Sequence, residues 1–137
     1  MNQIKVFLAD DHALIRAGYR LILQEYDNIE LIGEAGDGEE AMEMLKTLAP
    51  DVVVLDITMP QKNGLEAAKE IKEKYPDIKV LILSMHKEEA YVVQSIINGA
   101  DGYLVKDTDS ETFIEAILTL YNGEKYYGEF SSKVLIN

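Results

Sequence analysis

The 137-residue sequence has no cysteine, so neither a disulfide nor a thiolate metal site is available to it. It has no apolar run near the roughly 20 residues of a membrane-spanning helix. Positive charge is scarce, because 13 lysines and arginines stand against 25 aspartates and glutamates, for a formal net charge of −12. Such a chain is unsuited to binding nucleic-acid phosphates directly but suits a divalent cation or a basic partner. We therefore expect a cytoplasmic domain with no membrane partner.

Five short apolar runs are spaced along the chain. They lie at residues 4–9, 29–35, 51–56, 78–84 and 102–106. Three of them are rich in β-branched residues and almost continuously apolar, which is typical of strands buried on both faces of a parallel sheet. The run at 29–35 alternates more strongly, which favours a position at the edge of the sheet.

The stretches between these runs repeat apolar residues at helical spacing. They predict helices at 12–25, 39–48, 64–74, 88–98 and 110–122. In the first helix the apolar side is formed by Leu14, Ala17, Gly18, Leu21 and Ile22. Five strand–helix units predict a three-layer α/β/α sandwich around a parallel sheet. We expect residues 1–122 to form this domain and residues 123–137, which lose the helical period, to be a linker or tail.

Acidic residues stand where two of the predicted strands end. Asp10 and Asp11 follow the first strand, Asp56 ends the third, Ser84 ends the fourth and Lys106 ends the fifth. Because ligands of open parallel α/β sheets bind outside the carboxyl ends of the strands, these side chains should meet. Three crowded carboxylates repel one another unless a cation neutralises them, and oxygen ligands favour a hard ion such as Mg²⁺. Helix capping alone would explain only one of the two adjacent aspartates.

This set of groups is suited to phosphoryl transfer. A carboxylate beside Mg²⁺ can attack phosphorus and form an aspartyl phosphate, while the metal and Lys106 offset charge on the phosphoryl oxygens. The hydroxyl of Ser84 could donate a hydrogen bond to one of those oxygens. Taken singly, Lys106 is more simply a surface lysine and Ser84 a turn residue, so their shared position carries the hypothesis. For His12 we favour a residue at the helix start over a metal ligand.

Four segments together resemble the response-regulator receiver domain, which has the CheY-like, flavodoxin-like fold. They are ADD at 9–11, LDITMPQKNG at 55–64, LS at 83–84 and GADGYLVKD at 99–107. The resemblance covers residues 3–122 and is closest to the NarL/FixJ (LuxR-type) transcription regulators. It implies five parallel strands in the order 2-1-3-4-5.

The resemblance also implies roles for individual residues. Asp56 would be the phosphoacceptor, assisted by Lys106, and Ser84 would be the switch hydroxyl. Tyr103 would be the aromatic switch residue, whose side chain turns inward on activation. The implied Mg²⁺ ligands are Asp10 through a water, Asp11, Asp56 and the backbone carbonyl of Thr58.

A switch protein is implied in place of a turnover enzyme. It would accept a phosphoryl group from a sensor histidine kinase, catalyse its own phosphorylation and dephosphorylation, and form a homodimer, with Val92, Val93 and Tyr121 as candidate contacts. DNA binding would belong to a helix-turn-helix domain beyond residue 137. Two alternatives stay open. One is a single-domain regulator acting by protein contact, and the other is a Mg²⁺-dependent aspartyl-phosphate phosphatase, which Thr58 disfavours because those enzymes often carry a second aspartate there.

Overall fold

The computed structural model describes residues 3–130, in which strands and helices alternate along the chain. The strands are β1 (Ile4–Ala9), β2 (Ile29–Ala35), β3 (Val52–Asp56), β4 (Lys79–Ser84) and β5 (Gly102–Val105). The helices are α1 (Ala13–Gln24), α2 (Gly38–Leu45), α3 (Gly64–Lys74), α4 (Glu89–Ile97) and α5 (Ser110–Tyr121). Most predicted boundaries lie within one residue of these. In this part of the chain, no helix is both long and apolar enough to cross a bilayer.

All five strands are parallel and lie in the order β2-β1-β3-β4-β5, which confirms the predicted sheet. The register aligns their carboxyl ends. Ala9 is opposite Leu55, Asp56 is opposite Leu83, and Ser84 is opposite Val105. Side chains that follow these positions therefore emerge at one rim of the sheet, where the rule for parallel sheets places a binding site.

The core lies in two layers, one on each face of the sheet. Because side chains alternate along a strand, neighbouring residues serve opposite layers. Phe7 and Leu55 pack under α2, α3 and α4, whereas Leu8 and Val54 pack under α1 and α5. Each such apolar side chain contributes about 1.5–3 kcal/mol when fully buried. The central strands are therefore fixed on both faces, and the rim they share is rigidly placed.

Helix α1 is rotated relative to its predicted apolar side. Leu14 is 86% exposed and Leu21 is 64% exposed, whereas Leu23 is buried and Tyr19 packs on Phe113 of α5. The predicted apolar side of α1 was therefore wrong for Leu14 and Leu21, whereas Ile22 packs against the core. The side of α1 that faces the core includes Tyr19 and Leu23. The helical period alone did not distinguish these residues from the exposed ones. The result is an apolar strip on α1 that faces solvent.

Helix α4 also corrects an expectation about exposed residues. Val92 is 0% exposed, so it cannot serve as a surface contact in this arrangement. Val93 and Tyr121 are partly exposed, as predicted, and Ile97 adds a further exposed apolar side chain on α4. Ser95 is buried beside Val92 because its hydroxyl donates to the carbonyl oxygen of Tyr91, one turn earlier. The inner side of α4 is thus Val92 and Ser95.

The segment after α5, residues 124–130, lies along β5. Tyr126 forms a parallel bridge with Gly102, and a short 3₁₀ turn follows at Gly128–Phe130. Tyr127 and Phe130 are buried in the core layer that contains Phe7. We call residues 124–130 the post-α5 segment. The predicted linker or tail began at residue 123, and its last residues, 131–137, lie outside the described part of the chain.

Candidate functional site

The carboxylates at the ends of β1 and β3 come together. Asp56 is 1% exposed and Asp10 is 0% exposed, whereas Asp11 points outward and is exposed. The N–H of Asp10 donates to the carbonyl oxygen of Ala35, which continues the β1–β2 pairing into the loop. Asp10, Asp11 and Asp56 each place an oxygen within 4.8 Å of the others. The structure therefore brings together the three carboxylates that the sequence placed at this rim.

Lys106 lies between the two buried carboxylates. Its Nζ is 3.0 Å from Asp10 Oδ2 and 3.0 Å from Asp56 Oδ1. Burial by itself would lower the pKa of Lys106, but its contacts with the two carboxylates outweigh burial and raise the pKa above its usual value. Lys106 is therefore a charged ammonium in a buried setting. A lysine placed there can also face the oxygens of a group attached to Asp56.

One ammonium does not satisfy two carboxylates. Among the residues that the structure describes, neither Asp10 Oδ2 nor Asp56 Oδ2 has a hydrogen-bond partner, although the Lys106 ammonium lies 3.0 Å from Asp10 Oδ2. Burial raises the pKa of Asp56; Lys106 opposes this, and the charge of Asp10 adds to it. Buried polar atoms without partners are rare in native proteins. The unsatisfied oxygens and the three carboxylates fit a small hard dication such as Mg²⁺, and a ring nitrogen of His12 also lies within 4.8 Å of their oxygens.

His12 lies closer to the acidic cluster than expected. It is the N-cap residue of α1, as predicted for a helix-start residue, but its side chain makes no capping hydrogen bond. Its Nδ1 is instead 3.0 Å from Asp11 Oδ1 and 3.2 Å from Asp10 Oδ1. The backbone N–H of His12 also donates to Asp10 Oδ1, at 2.9 Å. His12 therefore holds the loop that carries both aspartates, a role that sequence spacing did not indicate.

The loop after β3 is held against Asp56 by a glycine. A Cβ added at Gly64 would lie 2.3 Å from the carbonyl oxygen of Asp56, so only glycine permits this approach. Asn63 caps α3 in a capping box with Glu66, which fixes where the loop ends. Within the loop, the N–H of Thr58 points to Asp56 Oδ1 at 3.4 Å. The backbone of Thr58 thus lies beside Asp56, and its carbonyl remains a predicted metal ligand.

Ser84 and Tyr103 occupy the next two strands and meet through the loop after β4. Ser84 is buried, and its Oγ accepts from the N–H of His86 at 3.0 Å. The hydroxyl of Tyr103 donates to the carbonyl oxygen of His86 at 2.7 Å. Tyr103 is 1% exposed, so its ring is turned inward, and burial raises the pKa of its hydroxyl. One residue, His86, therefore bonds to both predicted switch residues.

Sequence reasoning missed an arginine at the same rim. Nη1 of Arg16 donates to the carbonyl oxygen of Asp10 at 2.6 Å. Its Nε reaches Glu34 on β2, and Arg20 holds the same carboxylate with two further hydrogen bonds. Arg20 is the main reason that the pKa of Glu34 is lowered. The signal available in the sequence was two arginines one helical turn apart, on the same side of α1.

Comparison with known proteins identifies a family and relatives that this chain resembles in sequence. Residues 6–118 match the family described as the response regulator receiver domain. The transcriptional regulatory protein DegU of Brevibacillus brevis is 41% identical over 125 residues, and the oxygen regulatory protein NreC of Staphylococcus carnosus is 38% identical over 135 residues. The match to DegU covers 91% of this chain and 53% of that relative, and the match to NreC covers 98% of this chain and 62% of that relative. The chain therefore spans little more than half the length of the curated relatives it matches.

A solved structure agrees in fold as well as in sequence. The signal receiver domain of the response regulator NarL from Mycobacterium tuberculosis superposes with a TM-score of 0.87 and is 34% identical. The match covers 90% of this chain and 100% of that domain. The five-stranded CheY-like arrangement is thus shared with a domain of known fold.

Proposed function

The chain belongs to the response regulator receiver domain family, and its homologues are LuxR-type regulators of the NarL and DegU kind; from this premise we propose that it is a phosphorylation switch with Asp56 as phosphoacceptor. One observation carries the proposal. Asp56 is buried beside Lys106 and Asp10, and its Oδ2 has no hydrogen-bond partner within residues 3–130. A buried carboxylate with an unpaired oxygen is available to bind a ligand, because buried carboxylates with a purely structural role are normally hydrogen-bonded.

The proposed reaction transfers a phosphoryl group from a histidine of a sensor kinase. An oxygen of Asp56 attacks phosphorus, the new O–P bond forms as the P–N bond breaks, and the imidazole leaves with a proton from solvent. Lys106 holds its positive charge beside the incoming phosphoryl oxygens. Asp10, Asp11, Asp56 and the carbonyl of Thr58 would hold Mg²⁺, which supplies charge neutralisation at the phosphoryl group when bound. The same rim would catalyse the later hydrolysis.

We further propose that Ser84 and Tyr103 report the phosphoryl group to the outer surface. Ser84 would turn its hydroxyl to a phosphoryl oxygen, which removes the acceptor now used by the N–H of His86. Because the carbonyl of His86 also accepts from Tyr103, a shift of the loop after β4 would be coupled to the inward position of the tyrosine, which phosphorylation would favour. The active arrangement would then favour a homodimer and, in a longer chain, DNA binding by a following domain.

The exposed apolar residues favour α1 as the dimer face. Leu14 and Leu21 are seven residues apart, on the same side of α1, and no neighbour lies within 4 Å of a Cβ added at Gly18 between them. The rival face is α4, where Ile97 is exposed. Size-exclusion chromatography with Mg²⁺ and beryllofluoride tests which of the two helices forms the dimer interface. We expect Leu14→Lys to prevent dimerisation and Ile97→Lys to leave it intact; the opposite result assigns the interface to α4.

Intact-mass analysis tests the core proposal. Incubation with acetyl phosphate and Mg²⁺ should add one labile phosphoryl group to the wild type, and omission of Mg²⁺ or the change Asp56→Asn should prevent it. Asp107→Asn is the matched control, because this aspartate is exposed and pairs with Lys87 on the surface. Phosphorylation of Asp56→Asn at the wild-type level would refute the assignment. Sustained hydrolysis of phosphomonoesters would instead support a phosphatase.

A further inference from the structure

The post-α5 segment touches a predicted switch residue directly. The ring of Phe130 meets the ring of Tyr103 edge to face, with centroids 5.9 Å apart and planes at 88°. Both rings are buried, and both belong to the core layer under α4. An edge-to-face pair is favourable only while both rings keep their positions. The contact therefore exists with Tyr103 turned inward and is lost when the ring swings out.

Backbone contacts fix the segment that carries Phe130. The N–H of Tyr103 donates to the carbonyl oxygen of Tyr126 at 2.9 Å, and the N–H of Tyr126 donates to the carbonyl oxygen of Asp101 at 3.2 Å. A Cβ added at Gly102 would lie 2.9 Å from the same Tyr126 oxygen, so the approach is as close as glycine allows. The segment thus covers the otherwise open edge of β5.

A side-chain contact fixes the beginning of the same segment. Lys125 Nζ is 2.6 Å from Asp101 Oδ1, and Asp101 is buried at the start of β5. At the other end, the N–H of Phe130 donates to the carbonyl oxygen of Tyr127 and closes the 3₁₀ turn. Phe130 is therefore positioned by contacts at both ends of the post-α5 segment.

We propose that Phe130 is a positioning residue that holds Tyr103 in its inward, activation-competent arrangement and so couples the phosphorylation site to the chain that follows α5. This inference rests on the proposed function, in which inward Tyr103 accompanies phosphorylation. A ligand at Asp56 that favours inward Tyr103 then also favours docking of the post-α5 segment. By linkage, docking of the segment favours the ligand to the same extent.

The fraction of molecules with inward Tyr103 determines whether a change at Phe130 strengthens or weakens binding of a phosphoryl mimic. If the inward form becomes a smaller fraction of molecules, the apparent affinity for a phosphoryl mimic falls by that fraction. The ring contact is of the size measured for aromatic pairs, so Phe130→Ala should weaken beryllofluoride binding in the presence of Mg²⁺ by about two- to tenfold. Phe130→Leu keeps an apolar side chain but loses the ring edge, so a smaller loss is expected.

The experiment compares four versions of the 137-residue chain: wild type, Phe130→Ala, Phe130→Leu and Ile29→Ala. Ile29 is as buried as Phe130 but lies on β2, at the opposite edge of the sheet, and controls for general loss of stability. Three quantities are measured: beryllofluoride affinity with Mg²⁺, the aromatic NMR signals of Tyr103, and hydrogen exchange at the amides of Tyr103 and Tyr126. Loss of the Phe130 ring current shifts the Tyr103 signals by itself, so the readout is the solvent exposure of the Tyr103 ring, which a purely structural role would leave unchanged.

The expected result is weaker beryllofluoride binding and solvent-exposed Tyr103 ring signals in Phe130→Ala, with Ile29→Ala unchanged in both. In the wild type, beryllofluoride should slow exchange at Tyr126. Equal affinities and a Tyr103 ring that stays shielded from solvent in Phe130→Ala would overturn the inference alone, as would an equal loss in Ile29→Ala. If the wild type bound no more beryllofluoride than Asp56→Asn, the proposed function itself would fail, and the inference with it.

Discussion

Two buried aspartates at opposite ends of the sheet have opposite surroundings. Asp101, before β5, is 2% exposed, and its carboxylate accepts from the N–H of Val80 at 2.9 Å, from Lys72 at 3.1 Å and from Lys125 at 2.6 Å. Asp56, at the end of β3, is as buried but shares one lysine with Asp10 and has an oxygen without a partner. Burial and the charge of Asp10 raise the pKa of Asp56. At Asp101 burial acts in the same direction, but the hydrogen bonds outweigh it and lower the pKa.

The difference shows that burial alone does not decide what an aspartate does. At Asp101 the hydrogen bonds join α3, β4 and the post-α5 segment, so the carboxylate is structural. At Asp56 the unpaired oxygen is free to bind a cation or a phosphoryl group. When neither is bound, the buried and incompletely paired charge lowers the stability of the fold. The two ends of the sheet should therefore respond in opposite directions when the charge is removed.

The largest effect is expected for Asp101→Asn. An amide nitrogen would then face the ammonium groups of Lys72 and Lys125, and the charge that both lysines require would be lost. We expect the free energy of unfolding to fall by about 3 kcal/mol, as when one partner of a buried ion pair is removed. Urea denaturation measures it, with the exposed Asp77→Asn as control. A change below that of the control would mean that the lysines are satisfied elsewhere.

The stabilisation by Asp101 should also depend on pH. Its pKa is lower in the folded state than the ordinary value of about 3.9, so its contribution is fully present above that value. It is lost as pH falls through the lower pKa of the folded state, with a slope of at most about 1.4 kcal/mol per pH unit. The stability difference between wild type and Asp101→Asn should therefore shrink below about pH 4. A difference that grows on acidification would contradict the lowered pKa.

A smaller effect of opposite sign is expected for Asp56→Asn. Without Mg²⁺, the change removes a buried charge that repels Asp10 and leaves Lys106 paired with one carboxylate, so the protein should become more stable by about 1 kcal/mol. Adding Mg²⁺ should stabilise the wild type by mass action and stabilise the variant less, because a ligand is missing. Thermal unfolding with and without Mg²⁺ checks both. If Asp56→Asn were less stable without Mg²⁺, the Lys106 contact would outweigh the burial of Asp56.

Much of this arrangement could be predicted from the sequence, for identifiable reasons. Runs such as VVVLD cannot be amphipathic helices, and glycine, asparagine and proline mark where α3 begins and ends. The parallel order then forces Asp10, Asp56 and Lys106 to one rim. The end of α2 was placed too late, because Leu48 keeps the apolar spacing of Leu45 although the helix ends at Leu45 and residues 46–47 form a turn.

Contacts between distant residues could not be predicted in this way. Asp101 stands before a glycine, as turn residues often do, and its partners are 21 to 29 residues away. The post-α5 segment has no period, so nothing in it indicates that it would lie along β5. On α1 and α4 the helical period gave the apolar residues but not the rotation of the helix, which is why Leu14 is exposed and Val92 is not.

The smallest effect is expected for Lys125→Met. Its side chain is 56% exposed, so solvent screens its attraction to Asp101, and we expect a loss of about 0.5–1 kcal/mol in the free energy of unfolding. Lys46→Met is the matched control, because Lys46 pairs with Glu43, whose side chain is itself exposed, and its loss should cost almost nothing. The comparison isolates the buried partner as the cause. If both variants lost the same stability, the hydrogen bonds from Val80 and Lys72 would suffice for Asp101, and Lys125 would serve only to place the segment that carries Phe130.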